Sequence, residues 1–128
     1  MYIKRWLKTP FITKDGQLIE RKSGTPQGGV ISPVLANMFL HYVFDMWMKR
    51  NFPQAPFERY VDDGIIHCQT KEEAVFIKEN LAKRFAECKL ELHSVKTRIV
   101  YCKDKDRTRK EELSEFDFLG YTFKAVYI

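Results

Sequence analysis

This 128-residue chain predicts an α+β fold with antiparallel strands. Three observations carry that expectation. Residues 32–50 and 71–89 repeat apolar side chains at helical spacing. Short β-prone runs flank an Asp-Gly at 15–16 and an Asp-Asp-Gly at 62–64. The stretch 116–127 alternates aromatic and other residues, as a terminal hairpin does.

Each element follows in order. Residues 2–8 read as a short helix ended by Pro10, whose ring cannot continue it. Phe11-Ile12-Thr13 and Gln17-Leu18-Ile19-Glu20 flank Lys14-Asp15-Gly16 and predict a hairpin. Ser23 to Gly29 is a loop with three glycines and a proline. A helix then opens at Ser32, with Pro33 in its first turn, where a missing N–H costs nothing. Leu35, Met38, Phe39, Tyr42 and Met46 mark its expected buried face, and it should end near Arg50. Phe57–Tyr60 and Gly64–Cys68 read as two short strands around Val61, Asp62 and Asp63. A second amphipathic helix covers about 71–89, burying Ala74, Ile77, Leu81, Phe85 and Cys88. Thr97–Tyr101 reads as a strand, and the charged residues 103–115 as a loop.

Composition narrows the partners. At this length roughly two-thirds of the unfolded surface can be buried, so one core is expected. The net charge of +5 lies wholly in residues 1–59, with 9 Lys/Arg against 4 Asp/Glu; residues 60–128 balance at 13 and 13. A basic first half fits a polyanionic partner. Lys4, Arg5, Lys8, Arg21 and Lys22 are candidate phosphate contacts. Lys103, Lys105, Arg107, Arg109 and Lys110 form a second cluster whose interleaved acids suit an ordinary solvated loop equally well. Cys68, Cys88 and Cys102 have no paired spacing, so neither a disulfide framework nor a zinc site is expected, and the three histidines are not spaced as ligands. No signal peptide and no membrane-length apolar run is present, which gives a cytoplasmic expectation with no membrane partner.

Asp62 and Asp63 raise the chemical question. Neighbouring like charges are unfavourable unless a cation neutralises them. Carboxylate oxygens suit Mg²⁺, which otherwise keeps waters or phosphate oxygens. A magnesium site for phosphoryl chemistry is one reading; a solvated Asp-Asp-Gly turn is the other.

The glycine loop decides between them. Ser23-Gly24-Thr25-Pro26-Gln27-Gly28-Gly29-Val30-Ile31-Ser32-Pro33-Val34-Leu35-Ala36-Asn37 resembles a block of the reverse transcriptases encoded by group II introns. Arg59-Tyr60-Val61-Asp62-Asp63 resembles their catalytic hairpin, Lys89 to Thr97 a later block ending in Lys-Thr, and Phe116 to Phe123 the hydrophobic block that closes the palm. The resemblance implies an RNA-directed DNA polymerase working on an RNA template, a DNA primer and dNTPs, with intron RNA as a further partner. It implies that Asp62 and Asp63 are catalytic metal ligands in a two-magnesium site. Pro26, Gln27, Gly28, Tyr60 and Val61 would line the incoming nucleotide or primer end; the family usually has a small residue where Val61 stands. Lys96 would donate a proton near the leaving pyrophosphate, or be a solvated lysine. His93 and Val95 depart from the usual Asn and Glu of that block.

Two carboxylates on one hairpin cannot easily hold two ions about 4 Å apart. The family takes a third Asp from a strand upstream of the glycine loop, where this chain has only Asp15 and Glu20. The resemblance therefore implies residues 1–128 as a partial reverse transcriptase domain, from the end of the fingers through the palm. Its antiparallel sheet would pack on two helices and lack the first catalytic strand, leaving the fragment inactive and an open edge for self-association, which light scattering checks. An RNA-binding maturase or splicing module, and a retron, diversity-generating or CRISPR-associated reverse transcriptase, are the alternative readings.

Overall fold

The computed structural model describes residues 2–20, 30–102 and 115–124, with only the backbone of Trp6. The chain forms two compact units, Met1–Met38 and Phe39–Ile128. The first holds α1 (Tyr2–Lys8) and a hairpin of β1 (Phe11–Ile12) and β2 (Leu18–Ile19). Gly16, at φ 79°, supplies the left-handed residue of its turn, and Thr13 takes the Gln17 carbonyl through both its N–H and its hydroxyl. The division between units falls inside α2 (Ser32–Leu40).

Within the second unit, the end of α2 passes into a π-helical turn, His41–Asp45, and then α3 (Met46–Asn51). The Met46 N–H reaches back five residues to the His41 carbonyl, so this turn holds one residue more than an α-helix would. The hairpin of β3 (Phe57–Tyr60) and β4 (Asp63–Ile66) follows, paired Phe57 to Ile66 through Tyr60 to Asp63. Next comes α4 (Lys71–Glu87). Thr70 caps it by accepting the Glu73 N–H, while the Glu73 carboxylate takes the Gln69 N–H. Its far end closes in a Schellman motif. The Leu90 N–H bonds the Phe85 carbonyl, and Lys89, at φ 58°, occupies the position that usually takes glycine. β5 (Glu115–Phe118) and β6 (Tyr121–Lys124) form the last hairpin.

The core is a cluster of Phe44, Met48, Phe52, Ala55, Ile77 and Leu81, with Trp47, Phe57, Ile66, Cys68, Phe85 and Leu92 packed around it. Helix α4 presents Ile77 and Leu81 to it, each one turn apart on the predicted face. Burial of each contributes about 1.5–3 kcal/mol. The inward residues of β3 and β4 sit on the same cluster, which is how the hairpin becomes fixed to a helix. Phe57 meets the Phe44 ring edge-on at 5.1 Å. Gly64 lies over that ring: a Cβ added there would stand 3.8 Å from it and 3.7 Å from the Glu58 carbonyl.

Four expectations need correction. The predicted buried face of the first long helix is largely in water, with Met38 52%, Phe39 47% and Tyr42 64% exposed; Val43, Phe44 and Met48 are buried instead. The helix carries two apolar stripes. The core partners on α4 and the hairpin select one, and the extra residue of the π turn shifts the phase between them. Thr97–Tyr101 forms no strand, because a strand needs a hydrogen-bonded neighbour and the described residues offer it none. Asp63 belongs to β4 rather than to the turn. In place of one antiparallel sheet on two helices, the described strands make three separate two-stranded hairpins.

Candidate active site

Alternation along β3 points Phe57 and Arg59 inward and leaves Glu58 and Tyr60 exposed. At the end of the strand the chain reverses in two residues, Val61 and Asp62, with Tyr60 and Asp63 paired across the neck. Both aspartates are exposed, and so are Tyr60 and Val61. One short hairpin therefore brings four of the predicted site residues together. Val61 has φ 55°, a left-handed backbone that a β-branched residue rarely adopts.

Arg59 accounts for how that backbone is held. Its Nε donates to Asp45 Oδ1 at 2.7 Å and its Nη2 to Asp45 Oδ2 at 2.8 Å, a two-pronged pair between the hairpin and the π turn. Its Nη1 donates to the Val61 carbonyl at 2.7 Å. His41 Nδ1 lies 3.2 Å from Asp45 Oδ2 and completes the group. The Arg59 guanidinium holds the Asp45 carboxyl below its ordinary 3.8, against burial, which pushes it up; His41 adds to the lowering. Asp45 in turn raises the Arg59 pKa. The sequence reading missed Asp45 and Arg59. Two signals were available: Asp45 is the lone acid in the run from Val34 to Met48, and Arg59 falls on the same face of its strand as Phe57.

Lys96 stands elsewhere, exposed on the loop after α4. Two bonds shape that loop: Lys78 Nζ donates to the Thr97 carbonyl at 2.8 Å, and His93 Nδ1 accepts from the N–H groups of Val95 and Lys96 at 3.3 Å. Lys4 and Arg5 are exposed on α1, in the first unit. Pro26, Gln27, Gly28, Arg21 and Lys22 lie outside the described residues, as does the basic cluster from Lys103 to Lys110. All three cysteines are free; Cys68 and Cys88 are half-buried, Cys102 is exposed, and burial raises the Cys68 thiol. His67 pairs with Glu58 at 2.6 Å on the outer face of the hairpin.

The donor set at the turn is two hard carboxylates facing water, which suits a cation that retains water or phosphate oxygens as its other ligands. Among the described residues no three His, Cys, Asp or Glu side chains converge as a complete cage. No described helix is long and apolar enough to cross a membrane.

Comparison with known proteins agrees with the blocks in the sequence. Residues 1–123 match the reverse transcriptase (RNA-dependent DNA polymerase) family. The chain is 39% identical over 59 residues to the group II intron-encoded protein LtrA of Lactococcus lactis subsp. cremoris, and the same holds for LtrA of strain MG1363. Each alignment covers 44% of this chain and 10% of the relative, so the chain spans only a small part of the relatives it matches. No solved structure matches it.

Proposed function

The chain belongs to the reverse transcriptase (RNA-dependent DNA polymerase) family, and from that footing we propose that residues 1–128 are the palm portion of a group II intron-type enzyme. In the full-length protein it would join dNTPs to a DNA primer along an RNA template, in the cytoplasm, with intron RNA as a further partner. One observation carries the reading. Asp62 and Asp63 stand side by side, exposed, at the end of a hairpin that is fixed to the core through Phe57 and to the π turn through Arg59. A solvated turn has no need of such fixing, whereas a site that holds reacting groups does.

Asp62 and Asp63 would hold magnesium, which when bound neutralises phosphate charge and polarises the oxygens it touches. The chain's own residues would do the rest. Tyr60 and Val61, exposed beside the acids, would receive the primer end and the nucleotide, with Pro26, Gln27 and Gly28 supplying the nucleotide loop. Lys96 would offer its ammonium proton to the leaving pyrophosphate. Lys4, Arg5, Arg21 and Lys22 would contact phosphates, giving salt-dependent affinity without sequence preference. A second ion requires a further carboxylate, which we place on a strand of the longer protein beside the β3–β4 edge. The twin acids favour polymerase chemistry over a purely RNA-binding splicing role.

The test is primer extension by the full-length protein on an RNA template with Mg²⁺. Asp62→Ala should reduce synthesis to background while the protein still binds the primer–template. Unchanged synthesis by that variant overturns the reading. This chain by itself should extend no primer.

A further inference from the structure

We propose that Asp45 and Arg59 are positioning residues for the Asp62 carboxylate, acting through the peptide bond between Val61 and Asp62. The inference rests on the functional reading above and adds to it the device that aims the acid.

A peptide group is rigid and planar. The Val61 carbonyl, the Asp62 nitrogen and the Asp62 Cα lie in one plane. A donor that fixes the Val61 oxygen therefore fixes that plane and the position of the Asp62 Cα, and the Tyr60–Asp63 pairing holds the chain on the other side of Asp62. Arg59 Nη1 is such a donor, at 2.7 Å. A guanidinium on a free side chain would wander. This one is locked, because its other two arms meet both oxygens of Asp45 at 2.7 and 2.8 Å. Asp45 is itself held in the π turn and touched by His41 at 3.2 Å. The Arg59 and Asp45 side chains are 11% and 16% exposed, so the pair is shielded although the turn beyond it is not. The plane it fixes follows Val61, whose φ of 55° is unfavourable for valine. Two arms meet Asp45, and the third is aimed at the residue before the acid.

Arginine supplies a planar fork with five donors, and lysine a single point charge. A purely electrostatic or structural pair would thus accept Arg59→Lys, and a positioning fork would not. The experiment uses the chain in solution, with Arg59→Lys, Asp45→Asn and Asp62→Asn, each checked for retained fold by its amide spectrum. The first readout needs no metal. Scalar couplings of Val61 report its φ, and its carbonyl carbon shift reports the charged donor. Both should move in Arg59→Lys and in Asp45→Asn, with the signals of α4 unchanged. The second readout uses Mn²⁺ alone, through paramagnetic broadening of the amides of residues 60–64. Arg59→Lys should weaken Mn²⁺ binding by about 10-fold or more, as loss of a group supporting a metal ligand does.

A folded Arg59→Lys with unaltered Val61 couplings and unaltered carbonyl shift overturns the proposal; so do couplings that move while Mn²⁺ binding stays at the level of the unsubstituted chain. If Asp45→Asn unfolds, Arg59→Lys decides alone, since it keeps the charge. Mn²⁺ broadening that survives Asp62→Asn unchanged refutes the metal-site reading instead, and the metal-free couplings still decide whether the fork sets the turn.

Discussion

β3–β4 and β5–β6 are built to one plan: four residues, two in the loop, four back. Their loops differ in kind. Leu119 and Gly120 have φ 53° and 80°, the positive pair of a type I′ turn, with glycine where the strain is easiest to relieve. Phe116 and Phe123 stack across the strands at 5.2 Å, and Thr122 donates to Asp117 at 2.6 Å. That hairpin is closed by its own local chemistry. The loop of β3–β4 has valine at its positive φ, and only that one of its two residues is left-handed. Its closure is imported, from Asp45 through Arg59 and from the core through Phe57 and Ile66. The turn that carries two carboxylates lacks the residues that would make it stable alone, and the surroundings supply the difference.

The dependence of β3–β4 on its surroundings is greatest at Phe44, which supports Phe57 and lies beneath Gly64. Phe44→Ala should lower stability by about 3–5 kcal/mol, read by denaturant unfolding with Trp47 fluorescence. β5–β6 should keep its cross-strand contacts until the whole chain unfolds. If β3–β4 protection survives that substitution, the hairpin does not depend on the core. A second, smaller effect sharpens the contrast between the loops. Val61→Gly should stabilise β3–β4 by about 1 kcal/mol by removing the strain of a left-handed valine, and Gly120→Ala should destabilise β5–β6 by a similar amount. Amide exchange of the two hairpins measures both; equal responses would mean that the loops are held alike.

The smallest effect is on acidification. The Asp45 carboxyl lies below its ordinary 3.8 chiefly because Arg59 donates to it. A lowered folded-state pKa adds stability that is present above the unfolded value and lost as pH falls through the folded one. The pair should therefore be at full strength at neutral pH and weaken progressively below about 3.8, with solvent screening keeping the change modest. Followed by NMR, Val61 signals should shift over that range ahead of those of Phe116. A flat Val61 response down to pH 2 contradicts the role given to Asp45.

Much of this was legible in the sequence, for physical reasons. The α4 face, its start at about residue 71, the hairpins around Asp15-Gly16 and Asp62-Asp63-Gly64 and a terminal hairpin after residue 115 rest on local rules, and the structure has a helix and hairpins there. The candidate acids drew notice as adjacent like charges at a turn, and the resemblance around the glycine loop gave them their proposed role. What escaped was non-local. Choosing between two apolar stripes on one helix requires knowing what packs against it, and the π turn leaves no sign in periodicity. Arg59 and Asp45 are 14 residues apart and meet only once the hairpin is folded back on the helix. The failed strand at Thr97–Tyr101 had the right residues and, among the described ones, no neighbour.

Position 64 acts as a shim of zero thickness. A methyl group there would sit at ordinary contact distance, 3.7 Å from backbone and 3.8 Å from the Phe44 ring. The residue beside it is Asp63. Bare backbone at position 64 thus seats a carboxylate-bearing strand directly on an aromatic ring of the core.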